Sequence, residues 1–181
     1  MKKVHFILIA LILSGCSKLT NVEVDIPFSQ TLDGSQYPDS AHYPAGLGGN
    51  YIINFPTVAV NTNSQQTLQN YNTTADKINS VTLKSVVLQM TAPAGRYMNF
   101  LKNISISISA DTLANIRIAH KDNIPLGQTT ITLDDTTASM KPYFLQNKFY
   151  VNITATLDSI PPSGTNITSN IIFHLSANPL N

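Results

Sequence analysis

The chain has 181 residues, of which 43% are hydrophobic and only 12% charged, against about 25% charged in an average globular domain. Eleven basic and ten acidic residues leave a net charge of +1, which gives no electrostatic footprint for nucleic acid. A single cysteine excludes an internal disulfide and a cysteine-based zinc cluster. Polarity is carried by uncharged groups: 18 Asn, 19 Thr and 16 Ser. The length suits one domain with a substantial core.

Lys2 and Lys3 open the chain and are followed by an apolar run from Val4 to Leu13, broken only by His5. Ten helical residues rise about 15 Å, half the ~30 Å hydrocarbon thickness, so the run reads as a secretory signal and not as a spanning helix. It ends Leu13-Ser14-Gly15-Cys16, which resembles the lipobox of bacterial lipoproteins. That resemblance implies cleavage of residues 1–15 and acylation of Cys16, with residues 16–20 as a short tether and 21–181 as a single domain. Two or more acyl chains hold a protein stably on a bilayer, where one does so marginally. The membrane is therefore the first expected partner. Ser17 after the cysteine, and the lack of an acidic cluster there, imply the outer membrane and its periplasmic leaflet by the same resemblance.

The rest of the chain reads as strands, because apolar and polar residues alternate with period two. In chain order the candidates are Val22 to Ile26, Tyr51 to Val60, Val81 to Met90, Asn103 to Ser109, Asn115 to His120, Thr129 to Leu133, Lys148 to Leu157 and Ile167 to Ser176. Val86, Val87 and Leu88 are apolar on both parities, which suggests a central strand covered on both faces. Helix is scarce. Asp135 to Gln146 can hold a short one, capped by Thr136 or Thr137, with Met140, Phe144 and Leu145 on one face and Pro142 confining it to a first turn. Ser64 to Asn72 is a weaker candidate. The expected fold is all-β: an antiparallel immunoglobulin-like β-sandwich of about seven to nine strands with one or two short helices. Ser29 to Asn50 and Asn61 to Asp76 resist assignment and are long for connections in a compact domain.

Within the first of these, the segment from Tyr37 to Tyr51 concentrates tyrosines and glycines. Tyr37, His42, Tyr43 and Tyr51 offer rigid contact area with hydrogen-bonding tips, a composition used by recognition loops. The competing reading is a surface loop packed back on the sandwich edge. Catalytic constellations are thin. No serine sits in a G-x-S-x-G elbow, and past the signal the only histidines are His42, His120 and His174. No metal-ligand spacing occurs, and Asp134-Asp135 reads as a turn before the short helix. No catalytic residue, metal or cofactor is assigned.

Four triplets, beginning at Asp39, Asp111, Asp135 and Asp158, place Ser40, Thr112, Thr136 and Ser159 after an aspartate. They resemble the O-glycosylation acceptor motif of Bacteroidota envelope proteins, although Asp-Ser and Asp-Thr are also ordinary turn pairs. The sequons at Asn72, Asn103, Asn152 and Asn166 read as incidental. Lipobox, Asn/Thr/Ile-rich strands and triplets together resemble uncharacterised β-sandwich lipoproteins of Bacteroidota. The expectation is a non-catalytic binding or structural module of the envelope, with an envelope protein or glycan as partner. The alternatives are a carrier of a lipid or other hydrophobic ligand and, less favoured, a hydrolase.

Overall fold

The computed structural model describes residues 21–36, 50–62, 68–70 and 73–178. The proposed signal, Cys16 and its tether lie outside the described residues, as do Tyr37, Ser40, His42 and Tyr43. Ten antiparallel strands form two sheets. They are β1 (Val22–Leu32), β2 (Tyr51–Asn54), β3 (Val58–Asn61), β4 (Ile78–Ala92), β5 (Leu101–Ala110), β6 (Leu113–Lys121), β7 (Thr130–Thr132), β8 (Asp134–Asp135), β9 (Lys148–Leu157) and β10 (Asn166–Ala177). One sheet has the order β1-β10-β4-β7; the other runs β2-β9-β5-β6-β8, with β3 also on β9.

Two pairs of these segments are each one strand interrupted. β2 and β3 lie end to end along the same edge of β9, separated by Phe55-Pro56-Thr57, whose Phe55 still donates its amide to Ile153 O at 2.9 Å. β7 pairs with β4 in the first sheet and β8 with β6 in the second, so the chain changes sheet at the buried Leu133. Counted this way, eight strands pair as one long hairpin: first with last, second with seventh, third with sixth, fourth with fifth. Successive pairs fall alternately into the two sheets. This is the double Greek-key winding of a jelly roll, so the expected two-sheet sandwich is present with a strand order other than the immunoglobulin one.

The core follows from side-chain alternation. Ile106, Val151, Ile153, Ile171 and Phe173 point between the sheets and are buried, while Ser105, Asn152 and Thr154 on the opposite parity are half-buried on the outer face. In β4 the buried residues run Val81, Leu83 and then Val86, Leu88. The parity changes because Lys84 is an extra residue, a bulge between the Phe173–Leu83 and Ile172–Ser85 pairs. The apolar run at Val86 to Leu88 therefore does not mark a strand covered on both faces, and Val87 is only half-buried on the outer side.

β1 continues past Ile26 to Leu32. Proline cannot donate to a ladder, but β1 is an edge strand and tolerates Pro27. The expected helix over Asp135 to Gln146 shrinks to α1 (Lys141–Phe144), with Pro142 in its first turn and no side-chain cap. Asp134-Asp135 is a strand rather than a turn, and Asp135 accepts a bond from the Thr137 amide at 2.9 Å where Thr137 adopts φ 56°. That left-handed residue redirects the chain before the helix starts. Met140 and Phe144 are buried as expected, but Leu145 is exposed. Of the weaker helix candidate, residues 68–70 are helical and Leu68 is buried.

Candidate functional site

Strand direction sorts the connections into two poles. β1 starts at Val22, paired with Ala177 near the end of the chain, and runs to Leu32, paired with Ile167. The strand ends joined by the β1–β2, β4–β5, β6–β7 and β9–β10 connections lie at the Leu32 pole. Those joined by the β3–β4, β5–β6 and β8–β9 connections share the Val22 pole. With about 3.3 Å of rise per strand residue, the two are roughly 33 Å apart along β1.

The Leu32 pole is held together by side-chain amides. Asn166 Oδ1 accepts the Gly34 amide at 3.0 Å, Asn99 Oδ1 accepts the Gly127 amide at 2.7 Å, and Asn103 Oδ1 accepts the Asn123 amide at 2.9 Å. Each asparagine thus satisfies a backbone donor of a neighbouring loop, and the Gly34 donor is partly buried, where an unpaired group would be costly. Gly127 (φ 79°) supplies a left-handed turn there. Gly34 is needed for close approach: a Cβ on it would lie 2.9 Å from Thr165 O. Backbone bonds from Met98 to Gln128 O, at 2.8 Å, and from Asp158 to Phe100 O, at 2.7 Å, complete the weave.

Both ends of the tyrosine-rich segment are fixed at this pole. Gly34, three residues before it, is clamped to Asn166; Asn50, its penultimate residue, accepts a bond from Lys102 Nζ at 2.9 Å. Tyr51 opens β2 opposite Leu157 and is half-buried against the core, so of the four candidate contact residues it is partly structural. On loops of this pole three large apolar side chains stand in solvent, Tyr97 (51% exposed), Leu126 (72%) and Ile160 (42%), and Ile52 does so in β2 beside Tyr51. Single exposed apolar residues are ordinary, but three on adjoining loops of one pole are what a contact surface needs. Sequence reading missed this trio, because each stands alone in its own turn and only the topology gathers them.

The other sequence candidates are dispersed. Thr112 is exposed in the β5–β6 turn, at the Val22 pole; Ser159 is exposed after β9, at the Leu32 pole. Thr136 is half-buried and its hydroxyl donates to Arg117 O at 2.7 Å. The sequon residues Asn103, Asn152 and Asn166 lie in β5, β9 and β10, while Asn72 lies outside the described residues.

The two described histidines meet carboxylates. His120 Nε2 lies 3.7 Å from Asp122. On the outer face of the first sheet, His174 Nδ1 is 2.9 Å from Asp25 Oδ1 and its Nε2 is 3.0 Å from Glu23 Oε2. Lys84 binds the other oxygen of Asp25. The Lys84 ammonium, then the His174 ring, hold the Asp25 carboxyl below its usual range. Among the described residues no group of three or more His, Cys, Asp or Glu side chains forms a metal site. No helix among them is long and apolar enough to cross a membrane.

An apolar cavity of about 50 Å³ opens between β1 and β3, lined by residues including Ile26, Phe28, Val60, Leu68, Phe149 and Phe173. An engineered cavity of about 150 Å³ accommodates benzene. This cavity has about a third of that volume, too little for an acyl chain.

No family model matches the chain, and no curated protein does. Among solved structures it is similar to a chain described as Desmodium yellow mottle tymovirus, at 14% identity over 95% of this chain and 97% of that one, with a TM-score of 0.28. That superposition is too loose to relate the two in function.

Proposed function

We propose that the protein is an envelope lipoprotein, anchored through Cys16, that acts as a non-catalytic binding or structural module and presents the Leu32 pole to an envelope protein or glycan partner. The supporting observation is polarity. The proposed anchor precedes Val22 at one pole, while the roots of the tyrosine-rich segment and the exposed Tyr97, Leu126 and Ile160 occupy the other. A tether of residues 16–20 would then hold the Val22 pole near the bilayer and point the apolar loops away from it. Tyr37, His42 and Tyr43 join that surface in this reading. Thr112 and Ser159 remain the better-placed O-glycan acceptors, since the Thr136 hydroxyl is already donated.

Two measurements test this reading. Cys16→Ala should move the protein from the carbonate-washed membrane pellet to the soluble fraction; retention in the pellet would remove the anchor. A photocrosslinking residue at position 126 or 43 should capture a partner in intact envelopes, and the same residue at position 112 should not. Capture from 112 alone would move the contact to the opposite pole.

A further inference from the structure

The outer face of the first sheet carries a clasp that the proposed binding role does not use. Among the described residues β1 is an edge strand, paired only with β10. Its second half is anchored by the buried Phe28 and Leu32, but its first half buries only Val24 completely; Val22 and Ile26 are half-buried. Local opening is easiest where few apolar contacts hold a segment. Here the polar contacts are correspondingly important.

Those contacts converge on one ring. Asp25 stands opposite His174 in the ladder and Glu23 opposite Ser176. His174 Nδ1 reaches Asp25 Oδ1 at 2.9 Å, and Nε2 reaches Glu23 Oε2 at 3.0 Å. Ser176 donates to Glu23 Oε1 at 2.8 Å, and Lys84 from β4 donates to Asp25 Oδ2. All four carboxylate oxygens of the two acids are thereby engaged by β10 and β4. The charged groups facing the ring are Glu23 and Asp25 from β1, with Lys84 beyond Asp25. An ionised carboxylate only accepts hydrogen bonds, and a neutral imidazole donates from only one nitrogen. Nδ1 hydrogen-bonds Asp25 while Nε2 lies at ion-pair distance from Glu23, and only the imidazolium presents an N–H to both carboxylates.

We infer that His174 is a pH-sensitive clasp on the edge strand: charged, it ties Glu23 and Asp25 to β10, and on losing its proton it releases one carboxylate and loosens residues 22–26. The neutral ring would set a lone pair about 3 Å from a carboxylate oxygen, a repulsive contact relieved by movement of β1. The sign follows. The clasp holds while the ring carries its proton and is lost as rising pH removes it. The inference is independent of the proposed binding role, although the loosened segment is the one that leads from residues 16–20 into the domain.

Hydrogen exchange on the full chain, read as protection factors so that intrinsic rates cancel, tests it. The amides of residues 22–26 should lose about fivefold protection between roughly pH 5.5 and pH 8, as expected for partly exposed charged bonds, while amides of β9 should not change. His174→Gln should abolish that difference. Glu23→Gln should keep residues 22–26 protected at both pH values, because an amide can donate to the neutral ring. An unchanged ratio in the wild type, or the same pH dependence in His174→Gln, would overturn the clasp.

Discussion

Phe144 packs edge-on against Phe173, their ring centroids 5.0 Å apart. Phe149 completes the cluster at 5.0 Å from Phe144 and 6.0 Å from Phe173. The short helix α1 is thus fastened to a strand of each sheet. Aromatic pairs in this geometry add to the energy of burial. Phe173→Ala should cost about 3–5 kcal/mol, a large part of a domain's usual stability. Thr154→Ala loses one exposed bond to Asn54 and should cost well under about 1 kcal/mol. Urea unfolding of the two variants side by side checks this: nearly equal midpoints would mean that the strand faces are reversed.

Tyr143, buried in the same helix, donates its hydroxyl to Ala114 O at 2.6 Å. Tyr143→Phe keeps the ring and leaves that carbonyl unpaired, so it should destabilise by about 1–2 kcal/mol. An unchanged urea midpoint would show that solvent replaces the bond.

The clamp at the Leu32 pole can be cut from either side. Asn166→Ala strands the Gly34 amide and should cost about 1 kcal/mol or more. Gly34→Ala keeps the amide but drives a methyl into the Thr165 backbone, an overpacking cost of about 1–3 kcal/mol. The two residues share one contact, so the double variant should cost less than the sum of the singles. A double-mutant cycle measured by urea unfolding decides it, and strict additivity would mean that the clamp does not couple them.

Acid should weaken the β1 face through Asp25. Its carboxyl is held below the ordinary value by Lys84 first and His174 second. A depressed carboxylate contributes stability above its unfolded value, near pH 3.9, and that contribution is lost as pH falls through the lower folded value. Because the group is 42% exposed, solvent screening keeps the effect small. Unfolding midpoints taken from pH 5 down to pH 2 should fall less in Asp25→Asn than in the wild type. Identical slopes would remove Asp25 from the acid response.

Long, regular strands were legible in the sequence because one side-chain parity faces one environment throughout, as in β9 and β10. Legibility failed wherever the chain breaks period without leaving the sheet. The first strand, read as Val22 to Ile26, runs on through Pro27, which an edge strand absorbs; Lys84 shifts parity by a bulge; Asp134-Asp135 reads as a turn but pairs with β6. The strand order could not be read at all, since alternation specifies faces and not neighbours. Asparagine content was visible as composition only. Its role at Asn99, Asn103 and Asn166 depends on which loops the topology brings together.

Leu133, where the chain steps from one sheet to the other, gives the sandwich a spine. Along that flank the two sheets are joined by continuous backbone and cannot part without unpairing β7 or β8. The opposite flank is the fore-edge: among the described residues β1 pairs only with β10, and β2 and β3 only with β9. A proline in the middle of β1, with acidic residues at 23 and 25, is the kind of edge that discourages stray pairing between molecules.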